Sequence, residues 1–414
     1  MRKATLVVAM LAALAFAVPT AGAQADRSAM CINGMAGEFP CKNVDLLGYL
    51  LMEEIGGGQA VGTGRGSDVW GWRDSQTRRE YVIAGRENGT AFIDITDPTR
   101  PLYLANLPTA STANVIWRDI KVYKGHAFIV SEATGHGMQV FDLRRLRTLD
   151  RSAAPVTVTA DAHYTRFLRA HNIAINEETG YAYAIGSQQG ELQCDHDLHM
   201  IDIRDPKNPT FAGCASQPGN VHDTQCVIYR GPDARFRGRE ICFNSSPAPN
   251  TLTIVDVTDK SNPVILSDIP YEGSGFSHQG WLTKDSRFFL HGDEGDESAF
   301  GHTTRTRIWD VSDLTAPFVS GNYYSSAPAI DHNMYVLRRH VYQSNYSAGL
   351  RVLSLADVAE GSLSEVGYFD VYPPNDNPGF GFGTWSNYPY FHSGVVAVHG
   401  YQGLWLVKPR VPKR

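Results

Sequence analysis

The sequence predicts an all-β chain folded as a seven-bladed β-propeller, and three observations carry that prediction. One phrase recurs: "TAFIDITDPTRPLYLANL", "HMIDIRDPKNPTFAGC", "LTIVDVTDKSNPVILSDI" and "TRIWDVSDLTAPFVSGNY". Each is an alternating apolar run ending in Asp, a polar turn closed by Pro, and a second apolar run. Degraded copies, "GMQVFDLRRL", "GLRVLSLADV" and "GLWLVKP", bring the number to seven. The aligned positions Asp94, Asp142, Asp202, Asp256, Asp310 and Ser354 fall 44 to 60 residues apart. That period fits one four-stranded blade per repeat, each blade burying its faces only against its neighbours.

Taken in chain order, the first segment, "MRKATLVVAMLAALAFAVPTAGAQA", has two basic residues, an apolar run too short to span a bilayer and small residues at its end. That is the layout of a cleavable secretory signal. The expected organisation is a signal peptide over 1–25 and a single propeller domain over 26–414, secreted or periplasmic, with no membrane span after cleavage. Next comes "VDLLGYLLMEE", which resembles the fourth strand that the last repeat lacks. It is expected to close the ring by completing that blade and so remove an open sheet edge; an amphipathic helix packed outside is the alternative. Within a repeat, "HNIAIN" is the first strand, "GYAYAIGS" the second, "LHMIDIR" the third and "TFAGCAS" the fourth. First strands line the central channel of a propeller.

Composition narrows the function classes. Hydrophobic residues are 43% and charged residues 19%, which suits a globular chain rather than a disordered one. Net charge is −6, and −8 once Arg2 and Lys3 leave with the signal, so nothing points to nucleic acid. All six cysteines lie beyond the signal, at Cys31, Cys41, Cys194, Cys214, Cys226 and Cys242, with no CxxC pair. An even number in an oxidising compartment favours disulfides; fifteen connectivities are possible, and nearness along the chain favours 31–41, 194–214 and 226–242. No G-x-S-x-G, P-loop or H-E-x-x-H occurs, so covalent serine or cysteine catalysis has no support.

The chemistry-bearing signal lies in the first strands. Aligned, they begin with Asp68, Asp119, His171, His222, His278 and His332, with Trp385 or Ser386 in the seventh. Four imidazoles and two carboxylates converging on an axis suit a divalent transition metal, because imidazole binds Zn, Cu, Fe or Ni and carboxylates compensate charge. The competing reading is that these side chains only satisfy buried polar groups around the channel. Asn172, Asp223, Gln279 and Asn333 follow the histidines and are candidates to orient them. Second-strand ends supply Glu87, Glu132, Asp293 and Glu294; Glu87 and Glu132 are candidate general bases toward a metal-bound water.

The stretches "CINGMAGEFPCKNVDLLGYL", "GSDVWGW", "EYVIAGRENGTAFIDITDP", "HNIAIN", "VHDTQCV", "SHQGWLT" and "GTWSNYPYFHSG" resemble the choice-of-anchor B proteins, whose blades are related to LVIVD repeats. The resemblance runs from about Cys31 to Val407. It implies an exported bacterial propeller and implies no particular reaction. The ending "LWLVKPRVPKR" lacks the hydrophobic tail of anchored members, so a soluble protein is expected. Two function classes stay open: a propeller binding an unknown ligand, or a protein or glycan partner, at a metal-holding channel mouth, and a metal-dependent hydrolase or oxidase using the same residues.

Overall fold

The computed structural model describes residues 27–411 apart from 193 and 218, so the expected signal peptide lies outside the described residues. Seven sheets surround a central channel. Their innermost strands are Gly66–Arg73, Arg118–Tyr123, Asn172–Asn176, Asp223–Ile228, Ser277–Leu282, Met334–Leu337 and Thr384–Tyr388, numbered here as blades 1 to 7. Each packs on the next, and Thr384–Tyr388 packs back on Gly66–Arg73. The chain is the seven-bladed propeller that the repeats predict, and the strand order in blade 3 follows "HNIAIN", "GYAYAIGS", "LHMIDIR", "TFAGCAS".

The recurring Asp has a local reason. It ends the third strand of blades 1 to 5, and its carboxylate accepts the backbone N–H two residues on, as in Thr96 to Asp94 (2.9 Å), Arg204 to Asp202 (3.0 Å) and Thr258 to Asp256 (3.0 Å). This Asx turn starts the polar connection to the fourth strand. Ser354 substitutes in blade 6 because its hydroxyl accepts the Ala356 N–H in the same way (3.2 Å). Past the turn, the pairing of third and outermost strands slips by one residue in blades 1 and 3 to 7. Such bulges add local twist.

Closure uses the N-terminal segment. Val44–Leu51 pairs antiparallel with Gly403–Pro409 as the outermost strand of blade 7, and helix in this segment is confined to one 3-10 turn, Met52–Ile55. Alternation decides this: Val44, Leu46 and Leu50 are buried while Asp45, Leu47 and Tyr49 are half-buried, the period of a strand. Val44 and Leu46 join the core between blades 6 and 7; Leu50, Met52 and Ile55 join the one between blades 7 and 1. The preceding hairpin, Met35–Ala36 with Phe39–Lys42, extends blade 6.

All three disulfides join the cysteines expected from nearness: Cys31–Cys41, Cys194–Cys214 and Cys226–Cys242. No helix among the described residues is long and apolar enough to cross a membrane.

Leu50→Ala should lower unfolding free energy by about 2–5 kcal/mol, because the methyls lost lie between two blades. Leu51→Ala, on the exposed face of the same strand, should stay within about 0.5 kcal/mol. Urea unfolding of the two variants beside the parent checks this, and equal losses would contradict the closing role of the buried face.

Candidate functional site at the channel mouth

Four histidines form an arc. His171, His222, His278 and His332 enter from blades 3 to 6, with successive ring centroids 4.3, 4.5 and 4.3 Å apart, and Trp385 of blade 7 follows His332 at 4.9 Å. With Glu294, Tyr346, Tyr401 and the rim residues Ile116, Trp117 and Phe380 they enclose a cavity of about 270 Å³.

The arc is wired by the backbone. His222 Nδ1 lies 3.0 Å from the carbonyl oxygen of His278, and His332 Nδ1 lies 2.5 Å from that of Trp385. A carbonyl only accepts, so each Nδ1 carries the proton and a neutral ring keeps its Nε2 lone pair. His171 Nδ1 donates to Glu132 Oε1 (2.6 Å), whose other oxygen takes Arg169. Burial, and then the neighbouring imidazoles, hold His222 and His278 well below the usual histidine range; burial pulls His332 down to about 3. The three rings are therefore neutral donors.

One carboxylate completes the set. Glu294 Oε2 is 3.7 Å from His278 Nε2 and its Oε1 is 3.6 Å from His332 Nε2. Ligand atoms of these three residues lie within 4.8 Å of one another, a spacing a single cation can bridge. Tyr346 donates its hydroxyl to Glu294 Oε1 at 2.5 Å. Burial pushes the Glu294 carboxyl up to about 7, against the pull of the Tyr346 hydrogen bond. The site thus holds the His332 Nε2 lone pair, a neutral His278 ring whose Nδ1 has no hydrogen-bond partner among the described residues, and a buried carboxylate short of positive charge.

Comparison with known proteins finds a repeat match in one blade. Residues 248–269 match the LVIVD repeat model. They span the third strand of blade 4 and most of its outermost strand. Among solved structures, the β-propeller domain of Cps50 (Swd1) from Myceliophteria thermophila superposes with a TM-score of 0.52 at 13% identity, covering 87% of this chain and 99% of that one. At that identity the likeness concerns the fold alone. No curated protein matches the chain.

The blades place the remaining candidates as follows. Asp68 and Asp119 do not share the histidine level. Asp68 Oδ2 accepts the Ile120 N–H (3.1 Å) and Asp119 Oδ2 the Ile173 N–H (2.7 Å), while Gln279 Oε1 accepts the Met334 N–H (2.9 Å). These bonds align Asp68 and Asp119 with Asn172, Gln279 and Asn333, one residue beyond the histidines, so the aligned strand starts are offset by one in blades 1 and 2. The positions matching the histidines are Ser67 and Arg118, and Arg118 turns away toward Thr109 and His136. The residues after the histidines, proposed to orient them, mostly tie one innermost strand to the next; carbonyls orient His222 and His332 instead.

Of the four second-strand carboxylates, the candidate base Glu87 is buried and held by Arg65 and by the Gly64 and Arg65 N–H groups. Glu132 is committed to His171 and Arg169; burial raises its carboxyl, but those two partners outweigh that and hold it below the usual range. Asp293 accepts Tyr271 and the amides of Gly275 and Phe276. Only Glu294 of the four lines the cavity.

The displaced Glu294 carboxyl gives a pH signature. In metal-free protein the folded state holds this proton up to about pH 7 while the unfolded chain releases it near the ordinary value, so stability falls as pH rises through that window. Glu294→Gln should remove the penalty and exceed the parent by up to about 3 kcal/mol at pH 8, with little difference at pH 4.5. Urea unfolding with a chelator at both pH values tests the difference.

Proposed function

We propose that the channel mouth holds a divalent transition metal and binds a small ligand or a partner group against it, in an exported LVIVD-type propeller. The observation that carries this reading is the convergence of His278 Nε2 and His332 Nε2 on the two oxygens of Glu294. Two nitrogens and an oxygen are a donor set that zinc, copper, iron and nickel accept, with further positions left for His222 or an incoming ligand. The cation would also supply the charge that the buried Glu294 lacks. The aromatic rim of Trp117, Phe380 and Tyr401 suits the apolar part of a ligand. Three disulfides and the resemblance to choice-of-anchor B proteins support export to an oxidising compartment.

One contact favours a second reading, a metal-dependent hydrolase or oxidase. The Tyr346 hydroxyl donates to Glu294, and its ring centroid lies 4.9 Å from that of His332, placing a proton donor beside the proposed ion. In that reading Tyr346 is the acid, and a metal held by His278, His332 and Glu294 would supply Lewis acidity to a hydrolase or, to an oxidase, a redox centre that passes substrate electrons to dioxygen.

Elemental mass spectrometry of tag-free protein, recovered from the periplasm, tests the metal directly. The parent should carry near-stoichiometric metal, and His278→Ala/His332→Ala should carry none while remaining folded. Metal-free parent after attempted reconstitution would overturn the proposal. A turnover found in a screen of hydrolase and oxidase substrates favours the second reading, and Tyr346→Phe then tests the acid: the variant should lose rate while retaining its metal.

A further inference from the structure

A second cavity, of about 440 Å³, opens at the other end of the same innermost strands. Two residues beyond each stitching position, the alternation of a strand turns the next side chain to the axis again. Those residues include Trp70, Lys121, Trp281, Tyr335 and Tyr388, and all five line this cavity together with Tyr390. The rings form one connected wall, with centroids of Trp70 and Tyr335 5.6 Å apart, Trp70 and Tyr388 5.1 Å, Trp281 and Tyr335 5.0 Å, and Tyr388 and Tyr390 5.3 Å.

The wall already holds one cation. Lys121 Nζ sits 4.6 Å from the centroid of Trp70. Its charge is answered by Asp119 at 2.6 Å and Asp68 at 3.5 Å, so it offers little to an anion. The other charged residues lining the cavity are Asp223, Glu177 and Glu178. Glu178 is paired with Arg230, whereas Glu177 has no hydrogen-bond or ion-pair partner among the described residues. Aromatic faces beside unneutralised carboxylates attract ammonium groups, because ring quadrupole and carboxylate act with the same sign.

We propose that this second cavity binds a small organic cation, an alkylammonium or methylated ammonium group, against Trp281, Tyr388 and Tyr390 with Glu177 as counter-charge. The site is separate from the histidine mouth and needs no metal.

Isothermal titration of the full-length mature protein with choline, in the presence of a chelator, tests it. The neutral isostere 3,3-dimethylbutan-1-ol is the control, and it should bind at least roughly tenfold more weakly than choline. Trp281→Leu and Glu177→Gln should each weaken choline several-fold; Glu177 is exposed, so its replacement leaves the fold intact. A parallel titration with N-acetyl-trimethyllysine amide distinguishes the source: tighter binding than choline assigns the cation to a protein side chain, weaker binding to a free solute. Equal affinity for choline and its isostere, or no binding of either ammonium compound, would overturn the proposal. Because the chelator is present throughout, this result is independent of the metal measurement at the histidine mouth.

Discussion

Everything in this molecule depends on closing the ring. A blade has two apolar faces and cannot cover both alone, so each interblade core exists only while its two neighbours are held in place. The last gap is sealed by pairing across the whole length of the chain, Val44–Leu51 against Gly403–Pro409, with Leu50 and its neighbours filling the seam between blades 7 and 1. The N-terminal hairpin clamped by Cys31–Cys41 then braces blade 6 from outside. A chain that closes its ring by pairing Val44–Leu51 with Gly403–Pro409 has to hold that early strand in register. The strict alternation and the bulge between Leu46 and Gly48 do so.

Closure forces polar strand starts together on the axis, where most of their side chains are buried. Side chains of one blade answer backbone groups of the next: Asp68 to Ile120, Asp119 to Ile173, Asn172 to the His222 carbonyl and Gln279 to Met334. These contacts satisfy groups that would otherwise be buried unpaired. They also fix the histidines, since the same interblade contact that pairs His222 and His332 with a carbonyl leaves Nε2 unprotonated. In His222 and His332 one ring nitrogen thus satisfies a carbonyl of the next blade while the other keeps its lone pair, so the two competing sequence readings concern different nitrogens of the same rings.

The fold was legible because a propeller repeats its punctuation. The Asp-turn-Pro phrase marks the end of each third strand through an Asx turn, and Ser354 could be recognised since its hydroxyl makes the same bond. The histidine arc was legible for the same reason of position. What was not legible was any quantity set by fractions of a turn. Asp68 and Asp119 resemble strand starts in "GSDVWGW" and "WRDIKVY", and only the interblade bonds show that Ser67 and Arg118 match the histidines. Likewise Glu87, Glu132, Asp293 and Glu294 end equivalent strands, yet local cations or amides claim three of them. Tyr346, the partner of Glu294, lies in the turn "SNYSAG", where no periodic signal singles it out.

The second cavity shows how much a short strand can encode. In "DVW", "DIK", "NMY" and "SNY" the first residue stitches or faces the axis, the second packs between blades and the third faces the axis again; in "QGW" the second is Gly280, where the Phe289 ring takes the space of a side chain. The axial surface is therefore built in tiers: histidines at one mouth, stitching residues in the middle, aromatic residues beyond. Most of the middle tier is committed to backbone partners and so stays fixed whatever binds on either side. A side chain in an outer tier can change without disturbing strand register, because register is carried by the buried second position, such as Val69, Ile120 or Met334. That separation lets one set of seven strands carry a histidine arc at one end and an aromatic pocket lined by carboxylates at the other, each free to vary without the other.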